Sequence, residues 1–197
     1  MECISVFDML KIGIGPSSSH TLGPWRAAER WLSELSQQIS LSQISKVQVH
    51  IYGSLSLTGK GHATDYALML GLSGYDPVTI PTEEIQAAVA AIKANQSLLL
   101  SGSYPICFHP AEDLVFKKEF LPFHANGMEF LAHTNDNQLF KDTFYSIGGG
   151  FVVKESLDNA EEKAEQFNNF PYPVEKGETL LGYCKSLGKS ISELVLE

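Results

Sequence analysis

Residues Ile44–Tyr52 read I-S-K-V-Q-V-H-I-Y. Val47, Val49 and Ile51 share one parity, and Lys46, Gln48 and His50 share the other. That two-residue period marks a strand with one buried face, His50 standing on its solvent side. Helical patterns flank it. Upstream, Leu22, Trp25, Ala28, Trp31, Leu32 and Leu35 recur in steps of three and four within Thr21–Gln38. Pro24 falls in that helix's first turn, where its missing N–H costs nothing. Arg26 and Arg30, four apart, read as a solvated face. Downstream, Ala63, Ala67, Leu68, Leu70 and Leu72 carry a second helix ending near Gly74.

Further out, Pro81–Ala94 reads as a helix with Thr82 as its N-cap and Glu83 and Glu84 in its first turn. Ser97–Leu100, Tyr104–Phe108 and Leu114–Lys118 are short strands, and Pro122–Met128 is a turn. Met128–His133 and Phe140–Ile147 form a hairpin around Asn135-Asp136-Asn137. Gly148–Gly150 then permit a bend or a close backbone approach before Phe151–Val153. The expected fold is an α/β (α+β) arrangement, a mixed or antiparallel sheet with helices packed on it. Periodicity alone does not give the topology.

Val6–Leu10 reads as a short helical turn. Leu157–Asn169 is acidic with little apolar pattern and marks a domain edge, and Phe170-Pro171-Tyr172-Pro173 is an extended connector. Glu178–Leu187 and Ile191–Leu196 are helical, with Gly188 as the stop between them. The expected organisation is a domain over 1–156, a connector over 157–175, and linker helices from 176 to 197 leading toward a further domain.

The 197 residues suffice for a sizeable core, and 44% hydrophobic with 19% charged residues is a globular composition. A net charge of −9 disfavours nonspecific binding to nucleic acid or anionic membrane, both of which need a basic surface. There is no apolar run of about twenty residues to span a bilayer, and the first residues lack a signal-peptide pattern, so a cytoplasmic location is the default. Cys3, Cys107 and Cys184 are scattered and form no C-x-x-C pair, which argues against a self-contained metal site. They read as reduced thiols, two of them in or near the core.

Two stretches carry chemistry. Gly13–Gly23 reads G-I-G-P-S-S-S-H-T-L-G, and Gly53–Asp65 reads G-S-L-S-L-T-G-K-G-H-A-T-D. Each combines glycines, a run of hydroxyls and a histidine where a helix begins. Free N–H groups and hydroxyls at a helix start suit a small anion. Capping alone needs one such residue, and the first stretch offers Ser17, Ser18, Ser19 and Thr21 beside His20. Gly59-Lys60-Gly61 lacks the spacing of a nucleotide phosphate loop. The two loops, ending in His20 and His62, are placed to converge on one pocket.

The segments Phe7–Pro24, Gly53–Asp65, His124–Met128 (H-A-N-G-M) and Tyr145–Val152 (Y-S-I-G-G-G-F-V) together resemble the bacterial iron–sulfur L-serine dehydratases. The chain is similar to the N-terminal, or beta, domain of their single-chain form, from about Ile4 to Glu197. The resemblance implies conversion of L-serine to pyruvate and ammonia without pyridoxal phosphate. It implies a [4Fe-4S] cluster acting as a Lewis acid, with ligand cysteines in a C-terminal catalytic domain that this sequence lacks. The chain alone is therefore expected to bind no cluster. The resemblance further implies a homodimer, and a fold similar to the allosteric substrate-binding domain of phosphoglycerate dehydrogenases. Within it, His20 and His62 are the candidates for base or substrate orientation. Ser17, Ser18, Ser19 and Thr21 are candidates for the substrate carboxylate, Lys60 for its charge, Asp65 for orienting His62, and Asn126 and Gly148–Gly150 for further contacts. A binding or regulatory module that senses serine or another small anion is the alternative.

Overall fold

The computed structural model describes residues 12–155, 171–172, 174 and 176–196. The chain divides into two units, one running from Leu10 to Glu155 and one holding the C-terminal helices. The helical turn expected at Val6–Leu10 and the acidic segment 157–169 lie outside the described residues.

In the larger unit a π-helical turn, Ser18–Leu22, leads into α1 (Gly23–Gln38). Then come β1 (Ile44–Ile51), α2 (Gly53–Thr58), a 3₁₀ turn (Gly59–His62) and α3 (Thr64–Leu72). After them follow α4 (Thr82–Asn95), β2 (Ser97–Leu100), β3 (Tyr104–Cys107), α5 (Pro110–Asp113) and β4 (Leu114–Phe116). The unit ends with β5 (Gly127–Thr134), β6 (Leu139–Gly148) and β7 (Phe151–Lys154). The main sheet has the order β4-β1-β5-β6-β7, and β2 and β3 pair apart from it. β1 runs parallel to β4, with Val49 opposite Leu114, and antiparallel to β5, with Val49 opposite Phe130. The sheet is thus mixed, one of the two arrangements expected.

The pleat sorts the residues. Val47, Val49, Ile51, Met128, Phe130, Ala132 and Phe144 are fully buried. Against them packs α1, whose Trp31 stacks on Phe130 at 5.1 Å, while Phe130 meets Phe144 edge-on at 5.7 Å. The other parity is wetter. There the Glu129 carboxylate gathers Lys141 at 2.5 Å, Tyr52 at 2.9 Å and His50 at 3.2 Å. These partners hold Glu129 below the ordinary carboxylate range despite its burial. Burial of Tyr52 first, and its bond to the Glu129 carboxylate second, push that phenol up to about 12. α3 lies against α1, and a Cβ on Gly71 would stand 2.7 Å from the Trp25 carbonyl oxygen. Only glycine lets the helices approach so closely. Arg26 and Arg30 form the expected half-exposed face, paired to Glu29 and Glu34.

Three expectations are corrected. Gly53–His62 is not a loop. Gly53 at φ +57° turns the chain directly out of β1, and α2 begins there because the 119–125 segment satisfies its first amides: Gly53 N–H donates to Glu119 and Ser54 N–H to Ala125. Thr82 is the first residue of α4 rather than its cap; extended Pro81 holds the cap position, and no side chain bonds there. Cys107 is exposed on β3 and Cys184 is partly exposed, so neither is a core thiol; Cys3 lies outside the described residues.

In the second unit, α6 (Gly177–Leu187) ends at Gly188, whose φ of +66° is the left-handed stop expected of glycine. α7 (Ile191–Val195) opens on a capping box between Ser190 and Glu193.

Candidate functional site

The serine run builds the π turn. Ser17 is extended at the cap, and its Oγ accepts the His20 N–H at 3.1 Å. The next residues coil tightly enough that the amides of both Thr21 and Leu22 reach the Ser17 carbonyl at 3.1 Å. Such π turns are rare and frequent at functional sites. This one turns the His20 ring out between two hydroxyls, Ser19 Oγ at 2.9 Å from Nδ1 and Ser54 Oγ at 3.1 Å from Nε2.

The second loop meets the first. Thr21 Oγ1 donates to the His62 carbonyl at 2.7 Å, and Thr64 Oγ1 donates back to the His20 carbonyl at 2.5 Å. These reciprocal bonds hold the two imidazoles with centroids 5.1 Å apart. His62 Nδ1 lies 2.9 Å from the Thr58 carbonyl oxygen. A carbonyl only accepts, so in the neutral ring Nδ1 carries the proton and Nε2 carries the lone pair. His20 faces hydroxyls at both nitrogens, and these serve either tautomer.

The family profile described as serine dehydratase beta chain matches residues 5–157. The chain belongs to that family. It is 40% identical over 195 residues to L-serine dehydratase 1 of Escherichia coli (strain K12), covering 98% of this chain and 42% of that protein. The L-serine dehydratase of Haemophilus influenzae is 40% identical over 196 residues, and that of Streptomyces coelicolor 41% over 196 residues, each match covering 98% of this chain and 43% of the relative. The chain thus spans about two fifths of the length of the relatives it matches.

In this serine dehydratase beta chain the predicted residues separate into two groups. Ser17, Ser19, His20 and His62 come together, with Ser18 exposed at the same turn. Thr21 is buried and spends its hydroxyl on the His62 carbonyl, so it is a tie between loops rather than a free donor. Lys60 lies over the Phe116 ring at 5.1 Å, and Asp65 sits 3.6 Å from Lys93 instead of orienting His62. Both line a separate cavity of about 660 Å³ whose wall includes neither His20 nor His62. Asn126 is buried and donates Nδ2 to the Ser146 carbonyl, which makes it a brace; its Oδ1 has no partner among the described residues. Gly148, Gly149 and Gly150, all at positive φ, make the bend between β6 and β7.

Sequence reasoning missed Ser54, Thr64 and Ser146. For Ser54 a signal existed: Ser54, Thr58 and His62 are spaced by four, the step that puts side chains on one helical face. Among the described residues no three His, Cys, Asp or Glu side chains form a metal-binding group. Cys107 has His109 at 3.1 Å, and no third donor joins them among the described residues. Among the described residues these two donors do not make up the ligand set of an iron–sulfur cluster.

Burial first, and the neighbouring His62 second, hold His20 below the ordinary 6.5, against a raising effect of the hydrogen bond at Ser54. Below pH about 6.5 the unfolded chain therefore binds a proton that folded His20 resists, so stability falls as pH drops through 6.5 toward the lower folded value. His20→Asn is expected to lose less melting temperature between pH 7.5 and 5.5 than the wild type. An identical loss would assign the slope to other groups.

Proposed function

We propose that this chain forms one wall of a site that dehydrates L-serine to pyruvate and ammonia. The observation that carries the reading is the imidazole pair of His20 and His62, locked by reciprocal threonine bonds in a family whose relatives are named L-serine dehydratases. Dehydration needs a base for the α-proton and an exit for the β-hydroxyl. His62 Nε2, its lone pair set by the Thr58 carbonyl, takes the α-proton. The electron pair of that C–H bond becomes the Cα=Cβ bond as the hydroxyl departs. The aminoacrylate tautomerises to an imine, and water releases ammonia. His20, its ring steadied by Ser19 and Ser54, orients the substrate, and Ser17, Ser18 and Ser19 offer donors to its carboxylate.

A [4Fe-4S] cluster carried by a C-terminal catalytic domain of the same polypeptide would supply Lewis-acid chemistry for the departing hydroxyl, while the residues named above bind and deprotonate the substrate. The assembled enzyme is proposed to be a dimer. The 197-residue chain alone is expected to release no pyruvate from L-serine and to retain no iron or sulfide after anaerobic reconstitution. Stoichiometric iron and sulfide on this chain would overturn that division of labour.

The cavity lined by Lys60, Asp65, Lys93 and Glu112 favours a second reading, a module that senses serine or another small anion without catalysis. Substituting the histidines in the cluster-bearing enzyme separates the two. Lost turnover with an intact cluster supports catalysis, whereas unchanged turnover there, with a serine response altered by Lys60→Ala, supports sensing at the cavity.

A further inference from the structure

We propose that Ser146, far along the chain on β6, is a positioning residue that sets where the His20 ring stands. This rests on the catalytic reading of the histidine pair. Ser146 is fully buried, and its Oγ donates to the Ser19 carbonyl at 2.7 Å. A buried hydroxyl at this place is costlier than an alanine unless its bond matters. The bond ends on a telling atom. The Ser19 carbonyl belongs to the same peptide unit as the His20 N–H, and that N–H is held by Ser17 Oγ at 3.1 Å. A peptide unit is planar, so a bond at each end fixes its orientation. The direction in which His20 leaves the backbone is fixed with it. The next carbonyl, that of His20, is held by Thr64. Both peptides flanking the His20 side chain are therefore anchored from outside the turn.

Ser146 is itself well anchored. Its N–H donates to the Asn126 carbonyl at 3.0 Å, and its carbonyl accepts Asn126 Nδ2 at 3.1 Å. It pairs with Val152 of β7 just before the register shifts toward Gly148. The chain also leaves room for the hydroxyl. A Cβ at Gly23 would stand 1.9 Å from Ser146 Oγ, so any side chain there displaces it. Asn126, Ser146, Ser19 and His20 form one chain of contacts from the sheet to the imidazole. If Ser146 only satisfied its own burial, its loss would cost stability and nothing else.

The test uses ring ¹⁵N and Hε1 resonances of His20 in the 197-residue chain, with His133 on β5 as the internal reference. Ser146→Ala, which removes the bond, and Gly23→Ala, which pushes the hydroxyl aside, are both expected to move the His20 resonances and leave those of His133 in place. In the cluster-bearing enzyme each is expected to lower kcat/KM about tenfold, part of it through KM, as for a change at His20 itself. Ser146→Cys, close in size and a weaker donor, gives a smaller shift and serves if the alanine variant does not fold. Unmoved His20 resonances in a folded variant, or equal movement of every histidine, overturn the proposal. Moved His20 resonances with unchanged turnover uphold the positioning role and contradict the catalytic reading instead.

Discussion

Replacing His62 with glutamine in the cluster-bearing enzyme is expected to lower kcat for L-serine by about 10²–10⁴-fold, the usual contribution of a positioned general base. Glutamine keeps most of the volume and a side-chain donor for the Thr58 carbonyl, but it has no lone pair of imidazole basicity. The loss should therefore fall on kcat, with KM within a few fold and the melting temperature nearly unchanged, because His62 is only part-buried. His20→Gln should be milder and shift KM as well, since both ring nitrogens of His20 are engaged with serine hydroxyls. Pyruvate release measured at saturating and subsaturating serine separates the two patterns. A His62→Gln enzyme with wild-type kcat would remove the base from the account.

The largest expected effect on stability belongs to Phe130. It is fully buried at the centre of β5, stacked on Trp31 and edge-on to Phe144. Phe130→Ala removes a whole ring from between helix and sheet, and large-to-small changes of this kind cost about 3–5 kcal/mol. A domain has only about 5–15 kcal/mol to lose. With a urea slope of about 1–3 kcal/mol/M, the midpoint of unfolding should fall by about 2 M. Leu131→Ala, one residue along and on the wetter parity, should cost far less. Equal costs at the two positions would contradict the one-sided burial of the sheet.

Much of this architecture was legible because it rests on local periodicity. The alternation of Val47, Val49 and Ile51 marked β1, and the three-and-four spacing from Trp25 to Leu35 marked α1. The helix at Gly53–Thr58 was hidden, because S-L-S-L-T alternates like an extended segment. Its helicity comes from a left-handed Gly53 and from amides satisfied by a segment some seventy residues downstream. The parallel pairing of β1 with β4 is likewise a long-range event with no local signature. At the site, the two histidines stood out among glycines and hydroxyls. What joins them did not: Thr21 read as a donor for the substrate carboxylate and Thr64 drew no reading, and their crossed bonds exist only once α1 and α3 pack together. Lys60 and Asp65 misled for the converse reason. They adjoin His62 in sequence, yet the 3₁₀ turn and the first turn of α3 direct them toward Phe116 and Lys93.

The central claim is that the unprotonated nitrogen of His62 takes the α-proton of serine. Chemical rescue tests it most directly, with pyruvate release by a His62→Gly enzyme followed as imidazole is added. The account predicts a nearly inactive variant whose turnover rises with the concentration of free-base imidazole while the wild type is indifferent to it. Full turnover of His62→Gly without imidazole would contradict it.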